Sequence, residues 1–325
     1  MCAALIAFMF AAEHPSRSSQ PLRTGTGLHV SGRNIVEANG NNFVMRGVSH
    51  PYAWHKDQKQ SFADIKRLGA NSLRVVLTND VGAGEVSEII ARCKEHRLIC
   101  VLEYHDTTGH GEKDDAVALD AAAAYWTGLK SVLAGQEDFV VVNLGNEPYG
   151  NTDTAGWAGA TSGAVRKLRD AGLRHLIMVD APNWGQDWEG VMRGNASSVL
   201  DSDPRRNIVF SVHMYGVYGT ASKVAEYYDA FQSAGLPLVV GEFGWKHTDG
   251  EVDEDTIMAE AQSRGIGYLA WSWSGNSGGV EYLDLATGFD PGRLTSWGRQ
   301  VFDSVNGIRA TSKEATVFGD RRAAG

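Results

Sequence analysis

The chain has 325 residues, of which 43% are hydrophobic and 21% are charged, and its formal net charge is -9. This length suits one large α/β barrel or two medium domains, and a core of this size forms without disulfides or metals. The acidic balance and the lack of any Lys/Arg-rich run argue against a nucleic-acid partner. We therefore expect a soluble monomer with a neutral substrate.

Residues 1–12 form an almost unbroken apolar run that ends in two alanines. The run resembles the apolar core and small-residue end of a secretory signal without its positively charged start, and it is too short to span a bilayer. We therefore predict a truncated signal segment, a secreted protein and no membrane span. Residues 13–26, rich in Pro and Ser, are predicted to be a linker, and residues 28–37 a small β-hairpin that turns at 31–33.

After the hairpin, short apolar runs alternate with segments of helical spacing about eight times. The runs begin near residues 43, 71, 98, 139, 174, 207, 237 and 267. Helices are predicted over 61–68, 86–96, 116–133, 221–234, 253–264 and 295–305. Such alternation predicts an α/β protein with an all-parallel sheet, and its length suits a closed (β/α)8 TIM barrel over residues 27–307. A doubly wound sheet is the alternative, but its usual Gly-rich nucleotide loop is missing after the first strand.

Residues 308–325 lack apolar periodicity, which predicts a disordered tail or a linker remnant. Cys93, late on a helix, and Cys100, in the next strand, are expected either to form a disulfide or to remain two free buried thiols. Asp249, Glu251 and Asp253 open a predicted helix, where acidic residues suit the helix dipole; a structural calcium site is the sharper alternative. No motif of metal-ligand spacing accompanies the histidines, so we expect no catalytic metal and no required cofactor.

Barrel enzymes carry their catalytic residues at the C-terminal ends of the strands. Glu147 and Glu242 each end a strongly apolar run, and they belong to the fourth and seventh predicted strands, which face each other across a narrow barrel. Cleaving a glycosidic bond requires an acid at the leaving oxygen and a second carboxylate at the anomeric carbon. We therefore predict a retaining glycoside hydrolase with Glu147 as acid/base and Glu242 as nucleophile.

Polar and aromatic residues at the other strand ends have predicted supporting roles. Arg74 and Tyr215 are expected to hold Glu242 in its charged form. His213 would orient the site or the attacking water, Asn146 would bind a sugar 2-hydroxyl, and His105 another hydroxyl.

The chain has nine Trp, several of them in predicted loops. Flat aromatic rings match the apolar faces of sugars. Trp271 is expected to stack beneath the sugar that receives the nucleophile, with Trp273 as the alternative, and Trp54 and Trp184 are further candidates for stacking.

Four motifs occur in the order typical of one enzyme family: Asn-Glu-Pro at 146–148, His-Met-Tyr at 213–215, Gly-Glu-Phe-Gly at 241–244 and Trp-Ser-Trp at 271–273. Together they resemble glycoside hydrolase family five. The stretches 43–48, 69–77, 105–109, 183–186 and 203–207 resemble its bacterial endo-β-1,4-mannanase subgroup, and the likeness runs from about residue 27 to residue 307. The resemblance implies double displacement on internal bonds of mannan, galactomannan or glucomannan.

Three alternatives remain open at this stage. An endo-β-1,4-glucanase of the same family would share the catalytic residues and differ in its sugar contacts. A non-catalytic carbohydrate-binding barrel would be expected to lose one of the two glutamates, and both are present. A metal-dependent barrel hydrolase would be distinguished by sensitivity of the chemical step to chelators.

Overall fold

The computed structural model describes residues 27–319, and its centre is a closed barrel of eight parallel strands. The strands are β1 His29–Ser31, β2 Asn34–Val36, β3 Asn42–Phe43, β4 Arg46–His50, β5 Ser72–Leu77, β6 Ile99–Tyr104, β7 Val140–Asn143, β8 Leu176–Asp180, β9 Ile208–Met214, β10 Leu238–Phe243, β11 Lys246–His247, β12 Gly250–Glu251 and β13 Gly267–Ala270. The barrel order is β4-β5-β6-β7-β8-β9-β10-β13, and β13 pairs again with β4.

Helices follow the barrel strands and cover the outside of the barrel. They are α1 Ser61–Arg67, α2 Ala83–Glu95, α3 Leu119–Gly128, α4 Lys130–Leu133, α5 Trp157–Asp170, α6 Val191–Ser202, α7 Ala221–Ser233, α8 Glu254–Arg264, α9 Ser296–Asp303 and α10 Ile308–Thr311. The closed sheet confirms the predicted (β/α)8 barrel and excludes the doubly wound alternative. The single helix predicted over 116–133 is instead two helices, which are separated at Leu129, next to the poor helix former Gly128.

The barrel strands are apolar on both faces because each face packs against a different layer. On β6, Val101 points into the barrel interior, whereas Cys100 and Leu102 face the surrounding helices. Successive side chains of a strand point to opposite sides, so a strand between two apolar layers needs a continuous apolar run. For this reason the apolar runs in the sequence predicted the positions of the barrel strands.

The N-terminal hairpin closes the barrel at the end opposite to the strand carboxyl ends. As predicted, β1 and β2 pair antiparallel, and β3 adds to β2. Leu28, Ile35 and Phe43 are buried against the apolar interior of the barrel. No helix within residues 27–319 combines the length and the apolar character that a membrane span requires.

The C-terminal prediction is wrong for residues 308–319, which pack against the barrel. Ile308 is fully buried, and the Glu37 carboxylate accepts hydrogen bonds from the backbone N–H groups of Thr316 and Val317 at 3.0 and 2.8 Å. Glu314 forms ion pairs with Lys66 and Arg97. The segment is thus held by scattered apolar contacts and by polar ones, neither of which gives a regular apolar period in the sequence. The predicted signal segment and linker, residues 1–26, and residues 320–325 lie outside the described residues.

Cys93 and Cys100 are free and fully buried, so the structure shows two thiols and not the disulfide. Cys93 lies on α2 and Cys100 on β6, and the two side chains are hydrogen bonded to each other. Burial raises the pKa of Cys93 well above its usual value. Neutral thiols pack as small hydrophobic groups in such an apolar layer.

His175, at the entry to β8, makes the folded state sensitive to acid. It is completely buried, and burial is the largest influence on its pKa, lowering it to about 4 from 6.5. The unfolded chain keeps the ordinary value, so between these two pH values it binds a proton that the folded chain does not bind. We therefore expect this histidine to reduce the free energy of unfolding by up to about 3 kcal/mol as pH falls through this window.

Urea denaturation of wild type and His175→Leu at pH 7 and pH 4.5 checks this expectation. The variant should lose less stability between the two pH values than wild type. Burial also lowers the pKa of His50 to about 4. Wild type and the variant therefore both keep the part of the pH dependence of stability that His50 causes. His96→Gln, at the partly exposed end of α2, is the matched control and should behave as wild type. An equal loss in His175→Leu and wild type would contradict this account.

Candidate active site

Glu147 and Glu242 converge at the carboxyl ends of opposite barrel strands. Glu147 follows β7, Glu242 lies near the end of β10, and the two strands are three steps apart around the barrel. One carboxylate oxygen of each lies within 4.8 Å of the other. Retaining glycosidases separate their two carboxyls by about 5–5.5 Å, and inverting enzymes by about 6.5–9.5 Å. The pair therefore has the separation of a retaining site.

Arg74 lies at the centre of the site and is fully buried. Its Nη1 donates to Glu242 Oε1 at 2.5 Å, and its Nη2 donates to Asn146 Oδ1 at 2.7 Å. Tyr215 donates its hydroxyl to Glu242 Oε2 at 3.0 Å. The predicted contacts of Arg74 and Tyr215 with Glu242 are therefore present.

Arg74 acts on Glu242 in the predicted direction, because its positive charge favours the ionised carboxylate. Burial is the largest influence and raises the pKa of Glu242, whereas the positive charges of His213 and Arg74 act in the opposite sense. A carboxylate with little contact with water loses solvation that one guanidinium does not fully replace. Arg74 and Tyr215 thus limit the rise that burial causes.

His213 lies between Glu147 and a second buried carboxylate. Its Nδ1 is 2.8 Å from Glu147 Oε1, and its Nε2 is 3.2 Å from Asp180 Oδ2. Burial lowers the pKa of His213, but the negative charges of Glu242 and Asp180 outweigh it and raise the pKa to about 10. Gly185, with φ +74°, packs so closely on this ring that a Cβ would lie 2.5 Å from His213 Cγ. Glycine at this position lets the loop after β8 hold the imidazole from above.

A cleft of about 900 Å³ opens above the catalytic pair. Its lining includes the predicted residues His105, Asn146, Trp184, Tyr215 and Trp271 together with both glutamates. His105 Nδ1 donates to Glu103 Oε1 at 3.1 Å, and the His105 ring stacks on Trp271 at 6.3 Å between centroids.

The other two predicted tryptophans lie in different surroundings. Trp54 is 54% exposed and packs edge-on against His105 at 5.0 Å, beside the cleft. Trp273 is completely buried and donates to Ser61 Oγ, so its prediction as a stacking residue is wrong. The two tryptophans are two residues apart, a spacing that shares one face in a regular strand. The segment after β13 is not a strand, and it places the two rings in different surroundings.

Several residues of the site were missed by sequence reasoning. Asp180, Glu103 and Asn143 lie beneath the catalytic pair and contact Arg74. Each stands at or near the end of an apolar barrel strand, so the signal that located Glu147 was present for them too. Gln186 lines the cleft from the loop after β8, and His247 lines it from the β11–β12 hairpin. At these two positions the sequence offers no comparable signal.

The possible calcium site is not formed by the structure. Asp249 accepts hydrogen bonds from Gln186 Nε2 and the Gly216 N–H, while Glu251 is exposed. Asp253 caps α8 by accepting from the Thr256 N–H, as the helix-dipole interpretation predicted. Within residues 27–319, the acidic or histidine side chains that converge closely enough to share a metal ion are Glu147, His213 and Glu242. The acidic run is dispersed because Asp249 binds the backbone at Gly216, Asp253 caps α8 and Glu251 faces solvent.

A (β/α)8 barrel with two opposed glutamates at this separation, above a buried arginine, defines a barrel glycoside hydrolase. The family model described as cellulase (glycosyl hydrolase family 5) matches residues 36–277. The chain belongs to glycosyl hydrolase family 5.

Curated relatives and solved structures resemble the chain over most of its length. A mannan endo-1,4-β-mannosidase of Streptomyces lividans is 57% identical over 325 residues, which span 98% of this chain and 84% of the relative. One of Cellvibrio japonicus (strain Ueda107) is 52% identical over 300 residues, 90% of this chain and 70% of the relative. The structure of β-mannanase from Streptomyces thermolilacinus with mannohexaose has a TM-score of 0.89 at 57% identity, covering 91% of this chain and 99% of that one.

Proposed function

We propose that this enzyme hydrolyses internal β-1,4-mannosidic bonds of mannan, galactomannan or glucomannan with retention of configuration. The assignment of the substrate rests on the 57% identity to a mannan endo-1,4-β-mannosidase across nearly the whole chain. The proposed retention of configuration rests on the approach of the two carboxylates to within 4.8 Å. Family membership supports the same chemistry.

In the first step, Glu242 attacks the anomeric carbon while Glu147 protonates the departing oxygen, and a covalent glycosyl-enzyme forms. In the second step, Glu147 takes a proton from water, which attacks the same carbon and releases Glu242. Arg74 and Tyr215 each bind one oxygen of Glu242, so they orient the attacking carboxylate. Preorganised donors of this kind need no rearrangement as charge leaves the carboxylate.

The shape of the site supports cutting inside a polymer. Trp54 follows β4 and Trp188 follows β8, strands four steps apart in an eight-stranded barrel and hence on opposite sides of its mouth. Each indole is 54% exposed. A polysaccharide lying across the mouth would pass both rings, and aromatic faces match the C–H faces of sugars. A chain that continues beyond both sides of the catalytic pair is the substrate of an endo-acting enzyme.

Reducing-sugar release from β-mannan and from carboxymethyl-cellulose, measured side by side, tests the substrate. We expect faster release from mannan, with an early fall in viscosity because internal bonds are cut. NMR of the first product should show the β anomer before mutarotation. Equal or faster release from the glucan would favour the endoglucanase alternative, and an α anomer would contradict retention.

We also propose that the enzyme is a secreted monomer that needs no metal or cofactor for the chemical step. The apolar run at 1–12 supports secretion, and a polymeric substrate is met outside the cell. A chelator should therefore leave the initial rate on mannan unchanged. A rate that falls with chelator and returns with added metal would favour the metal-dependent alternative.

A further inference from the structure

Asp180 is a buried carboxylate directly beneath the acid/base. It ends β8 and is 1% exposed. Its Oδ2 lies 3.2 Å from His213 Nε2 and 3.5 Å from Arg74 Nη2. Its Oδ1 accepts from Asn143 Nδ2 at 2.9 Å. The mechanism described above uses none of these contacts.

The same carboxylate reaches Glu147 by two routes. Directly, Asp180 Oδ2 accepts the backbone N–H of Glu147 at 3.4 Å. Through His213, it contacts the ring whose other nitrogen meets Glu147 Oε1 at 2.8 Å. Glu147 has φ 38°, in the left-handed region that residues other than glycine seldom adopt. A residue in this conformation needs surrounding contacts to hold it, and Asp180 supplies one at the backbone and one through the side chain.

We propose that Asp180 is a positioning residue of this hydrolase, which holds the backbone of Glu147 and fixes the ring orientation and the Nε2 proton of His213. The inference rests on the proposed role of Glu147 as acid/base. Asp180 is buried below the residues that line the cleft, so it acts through its two neighbours.

The state of the proton follows from the geometry. The positive charges of His213 and Arg74 outweigh burial and lower the pKa of Asp180, so this carboxylate is an acceptor. A carboxylate 3.2 Å from Nε2 favours a proton on that nitrogen, because opposite charges then lie side by side. Nδ1 then faces Glu147 with either a proton or a lone pair. One proton can therefore lie on Nδ1 or on Glu147 Oε1, while Asp180 itself gains none.

Other charged and titratable groups surround this pair, and each contributes to its electrostatics. They are Arg74 on β5, Glu103 on β6, His105 after β6, Tyr215 after β9, Glu242 on β10 and His247 on β11. Asp180 differs from them because it contacts both the backbone of Glu147 and its histidine partner.

Asp180→Asn keeps the shape and removes the charge. On β-mannan we expect kcat/KM to fall about 10²-fold, with the loss in kcat and not in KM. Removing a negative charge beside His213 disfavours protonated forms, so the alkaline limb of the kcat/KM profile should move to lower pH by about one unit. With 2,4-dinitrophenyl β-mannobioside, whose leaving group needs no proton, the loss of kcat/KM should be less than about tenfold.

Asp203→Asn is the matched control. Like Asp180, Asp203 is completely buried and pairs with an arginine, in this case Arg169 at 2.9 Å. Unlike Asp180, it lies near the start of β9, away from the catalytic ends of the strands. This variant should lose stability and keep the alkaline limb of wild type. If Asp180→Asn also kept that limb and lost activity equally on both substrates, its role would be structural and the proposal wrong. Failure of wild type to cut mannan would instead refute the proposed function.

If Asp180→Asn does not fold, a measurement on the wild-type enzyme tests the proposal. ¹⁵N NMR of histidine-labelled enzyme reports the protonation of each ring nitrogen. We expect His213 Nε2 to be protonated from pH 5 to pH 8. An unprotonated Nε2 within this range would overturn the proposal.

Discussion

Replacing Glu242 by alanine is expected to lower kcat/KM on β-mannan by at least about 10⁴-fold, because the nucleophile of the first step is lost. The change also leaves Arg74 without its partner at 2.5 Å. Reducing-sugar release over a range of mannan concentrations measures the loss. Glu251→Ala, at an exposed position of the β11–β12 hairpin, is the matched control and should retain wild-type activity.

A small anion placed in the space left by Glu242 tests the role more directly. With azide and 2,4-dinitrophenyl β-mannobioside, Glu242→Ala should form the α-glycosyl azide, because azide attacks from the face that the carboxylate occupied. Full activity of Glu242→Ala on mannan without azide would show that another group is the nucleophile.

Replacing Glu147 by alanine is expected to lower kcat/KM on β-mannan about 10²- to 10⁴-fold, the usual contribution of general acid catalysis. With 2,4-dinitrophenyl β-mannobioside the value should stay within about tenfold of wild type, because this leaving group departs without a proton. Comparison of the two substrates measures the selectivity. A loss of equal size on both would contradict the role of acid.

Azide also distinguishes the roles of the two glutamates. In Glu147→Ala the glycosyl-enzyme on Glu242 still forms, and azide attacks it in place of activated water. The product is then the β-glycosyl azide, the opposite anomer from that of Glu242→Ala. The same anomer from both variants would mean that the two roles have been assigned incorrectly.

Much of the fold could be predicted because burial on two faces leaves a plain signal in the sequence. The run before Glu147 includes Val140 to Val142, and all three valines are completely buried. Where contacts are polar, the signal disappears. Residues 308–319 show no apolar periodicity. They are held by single apolar contacts such as those of Ile308 and Ala315 and by polar contacts of Glu37 and Glu314, so their ordered packing could not be anticipated.

The catalytic pair was also accessible from the sequence, whereas its surroundings were not. Strand counting placed Glu147 opposite Glu242, since topology alone decides which strand ends face each other. Asp180 ends a strand in the same way, but its importance comes from its distances to His213 and to the Glu147 backbone. The choice between Trp271 and Trp273 depended on the irregular path of the segment after β13, which brings Trp271 to the cleft and buries Trp273.

The sequence by itself determined the (β/α)8 class, the end of the barrel that carries the chemistry, and the two glutamates that perform it, because each follows from periodicity and strand order. Only the tertiary structure decided the separation of the carboxylates, the free state of Cys93 and Cys100, and the dispersal of the acidic run. It also showed that burial raises the pKa of Glu242 against the opposing charges of His213 and Arg74. The physical reason is that distance and desolvation are properties of the packed molecule, to which residues far apart in sequence contribute together.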